Sequence, residues 1–309
     1  LLKDIFKFEN LKKPEILLPI DPTIETGYQF FTIGSNEIWN EIFINYGWQK
    51  NLDNFKFFLN AVEPNTNVFF NVSHLGGYQI LSTKRQNVQQ LLIKENIQKK
   101  DNEILINDVS KKALNVFGVK YLISTKPINS SGFTEINRIS KEKNSFYLYE
   151  NDNPKEKFQL YYDYLLINHL SDYLNAFRDS DIQNVVFVEN PLNLANNEEP
   201  GSGTFSVLNF NEKKVKLSVN TPKEALLLFN NSYNPDWHVK VDNRVESLIK
   251  ANINSQAVIV PQGSHEVEFY YFPKQFYLGI TISILSLILS IAFILKLEGF
   301  KFRTLGLVK

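Results

Sequence analysis

The sequence predicts an α+β fold in which a mixed α/β region is followed by an antiparallel β-sandwich of the immunoglobulin or jelly-roll kind and one C-terminal transmembrane helix. Three observations carry this: apolar residues at helical spacing among short strands up to about residue 190, a change to period two after Gly203, and a charge-free run from Phe276 to Leu295.

The terminal run, FYLGITISILSLILSIAFIL, holds no proline, and twenty residues at 1.5 Å each give an apolar helix of about 30 Å, the thickness of a hydrocarbon core. A soluble helix apolar on every face for that length needs a larger core than 309 residues supply. Tyr270, Tyr271, Phe272, Phe276 and Tyr277 crowd its start, where amphipathic rings favour the membrane–water interface. Lys296, Lys301, Arg303 and Lys309 follow its end, so the positive-inside bias sets residues 1–273 outside the cytoplasm and the tail inside. A cell-membrane protein is expected.

Composition narrows the function classes. Thirty-three basic and thirty-three acidic residues cancel, which leaves no positive field for nucleic acid, and membrane lipid is the partner expected instead. Cysteine is absent, which removes disulfides, thiolate metal sites and cysteine nucleophiles together. The sequence has no methionine and opens without a signal peptide, as expected of the C-terminal piece of a longer protein.

Along the chain, EIWNEIFINYGW and NLDNFKFFLNAV place Trp39, Ile42, Phe43 and Tyr46, then Phe55, Phe58 and Leu59, at helical spacing. Asn67 to Val72 reads as a strand, and Gly76-Gly77 breaks it before a helix bearing Val88, Leu91 and Leu92. ALNVFGVKYLISTK ends in a strand, and Phe146 to Tyr149 adds another. Past a charged linker at Asn151 to Lys157 come the apolar Leu160 to Ile167, a helix in SDYLNAFRDSD and a strand from Asn184 to Glu189. Asn196 to Gly203 is turn-rich with little to bury. Six strands follow: Phe205–Phe210, Lys214–Val219, Ala225–Phe229, Trp237–Val241, Gln256–Val260 and His265–Tyr270. In the second, Val215, Leu217 and Val219 alternate with polar residues. The expected segments are thus 1–155 (mixed α/β domain), 156–199 (continuation and linker), 200–273 (sandwich), 274–297 (membrane helix) and 298–309 (basic tail).

The stretch from Leu226 to Gly279 resembles the end of the bacterial YfhO-like membrane proteins. The matching residues are Tyr233, Pro235, Trp237, Val241, Asp242, Asn252, Val260, Pro261, Gly263, His265, Val267, Phe269, Tyr271, Pro273 and Gly279, with their spacing kept. Asn243 stands where the family has glycine, a change that a left-handed turn tolerates. Weaker matches run from Pro64 to Tyr78 with Arg85, and from Leu114 to Ser124. The resemblance implies a polytopic membrane glycosyltransferase of the GT-C architecture. Such a protein uses a lipid-phosphate-linked sugar, with a possible divalent metal, to glycosylate a cell-envelope acceptor, a cell-envelope glycan being one candidate partner. Its acidic catalytic residues lie on early loops in an N-terminal transmembrane half that this sequence lacks, so no catalytic residue carries over and no cofactor is expected in this piece. The alternative is a single-span membrane-anchored module that binds glycan or protein without catalysis.

Four histidines are scattered, none with a partner at metal-ligand spacing, so no metal site is expected. For ligand contact the sequence nominates Gly76, Gly77, Tyr78, Lys84 and Arg85. Paired glycines admit close backbone approach, Tyr78 can stack on a sugar, and two cations can meet a lipid phosphate. A plain structural turn is the competing reading, since the phosphate-loop spacing is missing. Trp237 is a further candidate, as a sugar-stacking platform, against the simpler expectation that it plugs the sandwich core behind the Pro235-Asp236 turn.

Overall fold

A computed structural model describes residues 12–20, 27–45, 52–76, 82–179, 184–192, 194 and 202–305. The chain divides into two compact units, the first made of Leu1–Thr204, Asn220–Tyr233 and Ile249–Ser264, the second of Phe205–Val219, Asn234–Leu248 and His265–Lys309.

In the first unit, β1 (Gln29–Ile33) lies parallel to β4 (Val119–Ser124), with Phe30 opposite Tyr121 and Ile33 opposite Ser124. β5 (Phe133–Lys141) and β6 (Asn144–Asn151) complete a four-stranded sheet in the order β1-β4-β6-β5. β4 is buried at nearly every position, as befits a strand covered on both faces. One cover is aromatic: Phe30, Phe57, Phe58, Tyr121 and Phe146 share a core in which Phe57 and Phe146 stand 5.2 Å apart between ring centroids. It is fed by α1 (Ser35–Trp39), which runs on into a π-helical turn at Asn40–Asn45, and by α2 (Leu52–Phe58). The helical spacing of the aromatic residues thus holds over the described part of this stretch, and Trp39 packs on Phe43 and Phe58.

The other cover includes α3 (Lys84–Lys94), the ribbon of β2 (Ile97–Lys99) and β3 (Ile104–Ile106), and α4 (Asp108–Val116). Local chemistry starts both helices. Thr83 and Gln86 form a reciprocal capping box on α3, and the Asn107 side chain accepts the Ser110 N–H on α4.

Asn67–Phe70 is a 3₁₀ turn rather than a strand. The Asn67 amide explains it, for its Oδ1 accepts the Asn65 N–H at 2.9 Å and its Nδ2 donates to the Val72 carbonyl at 2.6 Å. Asn65 and Asn71, both at positive φ, close the turn on either side, so local side-chain bonds outcompete a ladder.

The unit also holds a six-stranded sheet. Its members are β7 (Phe158–Tyr161), β8 (Asp163–Leu166), β9 (Val185–Val188), β12 (Ala225–Phe229), β15 (Ile249–Ala251) and β16 (Ser255–Val260), in the order β7-β12-β16-β15-β9-β8. α5 (Tyr173–Asp179) connects β8 to β9, which pair in parallel.

The second unit is one antiparallel sheet in the order β10-β11-β17-β13-β14, built from β10 (Thr204–Asn211), β11 (Lys214–Thr221), β13 (Trp237–Val241), β14 (Arg244–Glu246) and β17 (Gly263–Tyr271). All six strands expected beyond Gly203 form, and the α+β class with its antiparallel, sheet-rich end and apolar C-terminal helix holds. The strands are dealt out between two sheets, however. β12, β15 and β16 join strands that precede residue 190, because alternation fixes which face of a strand is apolar and not which strand lies beside it.

α6 (Lys274–Leu305) follows β17 after two residues, and its first 23 residues, Lys274–Lys296, are apolar and long enough to span a bilayer. Its hydroxyls turn inward on their own helix, Thr281 to the Tyr277 carbonyl, Ser283 to Gly279, Ser286 to Ile282 and Ser290 to Ser286, all at 2.8–2.9 Å. No hydroxyl among these four then faces hydrocarbon unsatisfied.

Candidate functional site

Within the first unit a cavity of about 760 Å³ opens where β1 ends. Gly34 makes the turn that shapes it, at φ +87°, and a Cβ there would strike the Thr125 hydroxyl. One wall is the segment around His74, which bridges to Phe30 beside β1 and leads to Gly76. The opposite wall is the polar face of α3, where Gln86, Gln89, Gln90 and Lys94 recur at helical spacing. Asn254 reaches in from the turn after β15, its Nδ2 donating to Gln89 Oε1 at 3.1 Å and to Ser232 Oγ at 3.4 Å.

His74 is locked into the wall. Its Nδ1 accepts the Gly76 N–H at 2.9 Å, which leaves the proton on Nε2, facing Thr32 Oγ1 at 3.2 Å; that hydroxyl donates onward to the Ala61 carbonyl at 2.8 Å. Burial pushes its pKa down to about 4. A neutral ring with both nitrogens engaged is no general base. Glu63, also in the wall, has its carboxyl pushed above the usual range by burial, against the lowering contact of Ser35 and the charge of Lys94. The lining is therefore rich in amides and hydroxyls, with one reluctant carboxylate and the two ammonium groups of Lys94 and Lys99. Such a wall can hydrogen-bond a neutral polyhydroxylated ligand from several sides, because each amide offers both donors and acceptors.

Of the nominated residues the cavity uses Gly76. Gly77 and Tyr78 lie outside the described residues. Lys84 is exposed on the first turn of α3. Arg85, one residue on, faces elsewhere: its guanidinium grips both oxygens of Glu189, donates to the Ile253 carbonyl at 2.7 Å and lies over the Tyr233 ring at 5.9 Å. Trp237, in the second unit, is 7% exposed and packs on Tyr271 with ring centroids 5.7 Å apart, which is the position of a core plug. Sequence reasoning missed Glu63 and Asn254. The stripe of Gln86, Gln89, Gln90 and Lys94 was the readable signal for the α3 wall. Among the described residues no group of three or more histidine or acidic side chains is arranged to hold a metal ion.

An apolar helix long enough to cross a bilayer follows directly on an antiparallel sheet, an arrangement that fits a membrane protein. Residues 201–283 match the family described as "Bacterial membrane protein YfhO", so the chain carries a YfhO-like C-terminal region. The chain is also similar to the "Uncharacterized protein YfhO" of Bacillus subtilis (strain 168), 24% identical over 87 residues, which is 28% of this chain and 10% of that protein. The match thus spans a tenth of the relative's length. No solved structure matches the chain.

The residues of the YfhO-like pattern make turns and brace strands. Asp242 and Asn243 form the β13–β14 turn at φ 48° and 66°, so the asparagine takes the left-handed place of glycine without difficulty. Asp242 Oδ1 accepts the Glu266 N–H at 2.9 Å and its Oδ2 meets His265 Nδ1 at 2.6 Å, and these contacts, the backbone donor first, hold its carboxyl below the usual range. Asn252, 2% exposed at φ 42°, accepts the Phe187 N–H on its Oδ1 at 3.0 Å and returns its own N–H to the Phe187 carbonyl at 2.9 Å. Asn252→Ala orphans the buried Phe187 N–H and puts a residue poorly suited to positive φ in the turn. The expected loss is about 1–3 kcal/mol in denaturant unfolding, with Asn252→Asp losing less. Unfolding midpoints equal to that of the parent protein would show that this bond carries nothing.

Proposed function

We propose that this chain is the extracytoplasmic C-terminal part of a polytopic membrane glycosyltransferase-like protein that moves sugar from a lipid phosphate to a cell-envelope acceptor. In this reading it shapes the acceptor side of the site and leaves catalysis to carboxylates in an upstream transmembrane half. The observation that carries the proposal is the YfhO-like match over residues 201–283, which takes in strands of both units and the start of the apolar helix. The amide-lined cavity supports it, since its lining suits a neutral polyhydroxylated group. The partners of this reading are membrane lipid, the upstream half, a lipid-linked sugar and a cell-envelope glycan.

The coding sequence upstream of Leu1 tests the architecture. Many apolar segments of about 20 residues, with paired acidic residues in the first outward loop, support the transferase reading. A signal peptide and no further span would overturn it in favour of a tethered glycan- or protein-binding module. Orientation is tested separately in intact cells. Ser218→Cys introduces the only cysteine, and a membrane-impermeant maleimide is expected to label it without lysis. Labelling only after lysis would reverse the orientation.

A further inference from the structure

β10 ends its sheet, and it is an unusual edge. Sheet edges are commonly blunted by charge or proline, yet Thr204–Asn211 holds neither. Val207, Leu208 and Phe210 are 45%, 55% and 40% exposed, so apolar side chains stand out on both faces of one strand.

The place of this edge in the second unit says what covers it. β10 turns through Glu212 and Lys213 into β11, and the Lys213 carbonyl accepts the Tyr271 N–H at 2.8 Å. Tyr271 is the last residue of β17, and α6 starts three residues later at Lys274. Three extended residues reach at most about 10 Å, so the Phe210 end of β10 lies level with the first turn of the spanning helix. Phe272, Phe276 and Tyr277 are exposed there as well, with Phe272 stacked on Tyr277 at 4.7 Å. Lys213 and Lys274, both exposed, flank this apolar end as cations do at the phosphate level of a membrane.

We propose that the Leu208–Phe210 end of β10 dips into the headgroup–acyl boundary of the bilayer that α6 spans, making the sheet edge a second membrane contact. The contact is continuous with the spanning helix and does not depend on which side of the membrane the sheet occupies, nor on the transferase reading. A lipid surface also explains why apolar groups on both faces of the strand are tolerated, for a strand lying in the interface is surrounded by lipid.

The lack of native cysteine makes the test direct. Leu208→Cys, Phe210→Cys and, at the far end of the same sheet, Arg244→Cys are labelled singly with a nitrobenzoxadiazole probe. The whole 309-residue chain is then reconstituted in phosphatidylcholine–phosphatidylglycerol vesicles. Unchanged circular-dichroism melts certify the fold of each variant. Probes at 208 and 210 are expected to shift to the blue and to lose most of their emission to doxyl-labelled lipid. They should report a depth of about 5–10 Å, while the probe at 244 is quenched by aqueous iodide alone. Iodide quenching at 208 and 210 as strong as at 244 would overturn the proposal. Shielding of both positions from iodide and doxyl lipid alike would overturn it too, in favour of a protein strand paired with this edge.

Discussion

Arg85→Ala is expected to cost about 2–4 kcal/mol and to lower the midpoint of thermal unfolding by about 5–15 °C. The guanidinium joins three parts of the first unit that are distant in sequence: the start of α3, Glu189 just after β9, and the carbonyl of Ile253 in the β15–β16 turn. Both charged side chains are about four-fifths buried, with 19% and 18% exposed, so removing the arginine strands a carboxylate that water only partly reaches. The Glu189 contact, with burial opposing it, raises the arginine's already high pKa, so the guanidinium stays charged across the working range of pH. Glu189→Gln is expected to lose less, because the amide still accepts one bond. Arg85→Met with Glu189→Leu should recover much of the loss, as apolar replacement of buried ion pairs commonly does. Melts of Arg85→Ala that coincide with the parent protein would remove the pair from any account of stability.

Acidification is expected to weaken the first unit through His74. Its pKa of about 4 in the fold lies below the ordinary 6.5, so as pH falls the unfolded chain takes up the proton first. The stability gained by keeping the ring neutral is complete above pH 6.5 and is lost progressively down to about pH 4, at up to about 1.4 kcal/mol per pH unit. Glu63 works in the opposite sense, since its raised pKa lets the folded protein bind a proton before the unfolded chain does. Unfolding curves therefore need both His74→Asn and Glu63→Gln. In the Glu63→Gln background the fall with acid should steepen, and adding His74→Asn should flatten it. Parallel pH profiles with and without His74 would show that the ring is not held neutral by the fold.

Much of the fold is legible in the sequence. Apolar spacing identifies the helices of Trp39, Phe58 and Leu92, and strict alternation identifies β11. Local turn chemistry is equally readable, as at Asp242-Asn243. What escapes is partnership. Ala225–Phe229 is buried at all five positions, the mark of a strand covered on both sides, but nothing in ALLLF says that it lies between Phe158–Tyr161 and Ser255–Val260. The site divides in the same way. The Gly76 loop is visible as a local break, whereas Arg85 and Glu189 are 104 residues apart and Gln89 and Asn254 are 165 apart, separations that no periodicity encodes. Asn67–Phe70 was misread for the converse reason, since its composition favours a strand and its asparagines bond to their own backbone.

The interleaving of the two units bears on the order in which the protein can be made. β7 and β9 emerge by residue 188, yet their neighbours β12, β15 and β16 arrive only between residues 225 and 260. The early strands must wait on the ribosome with open edges, which is the slow and aggregation-exposed part of any long-range pairing. Closure of the six-stranded sheet comes just ahead of β17, and three residues after that strand ends the membrane helix begins. Completion of the six-stranded sheet and emergence of the apolar helix are thus nearly one event, and a pause in synthesis before residue 225 would expose the nascent chain to proteases and chaperones.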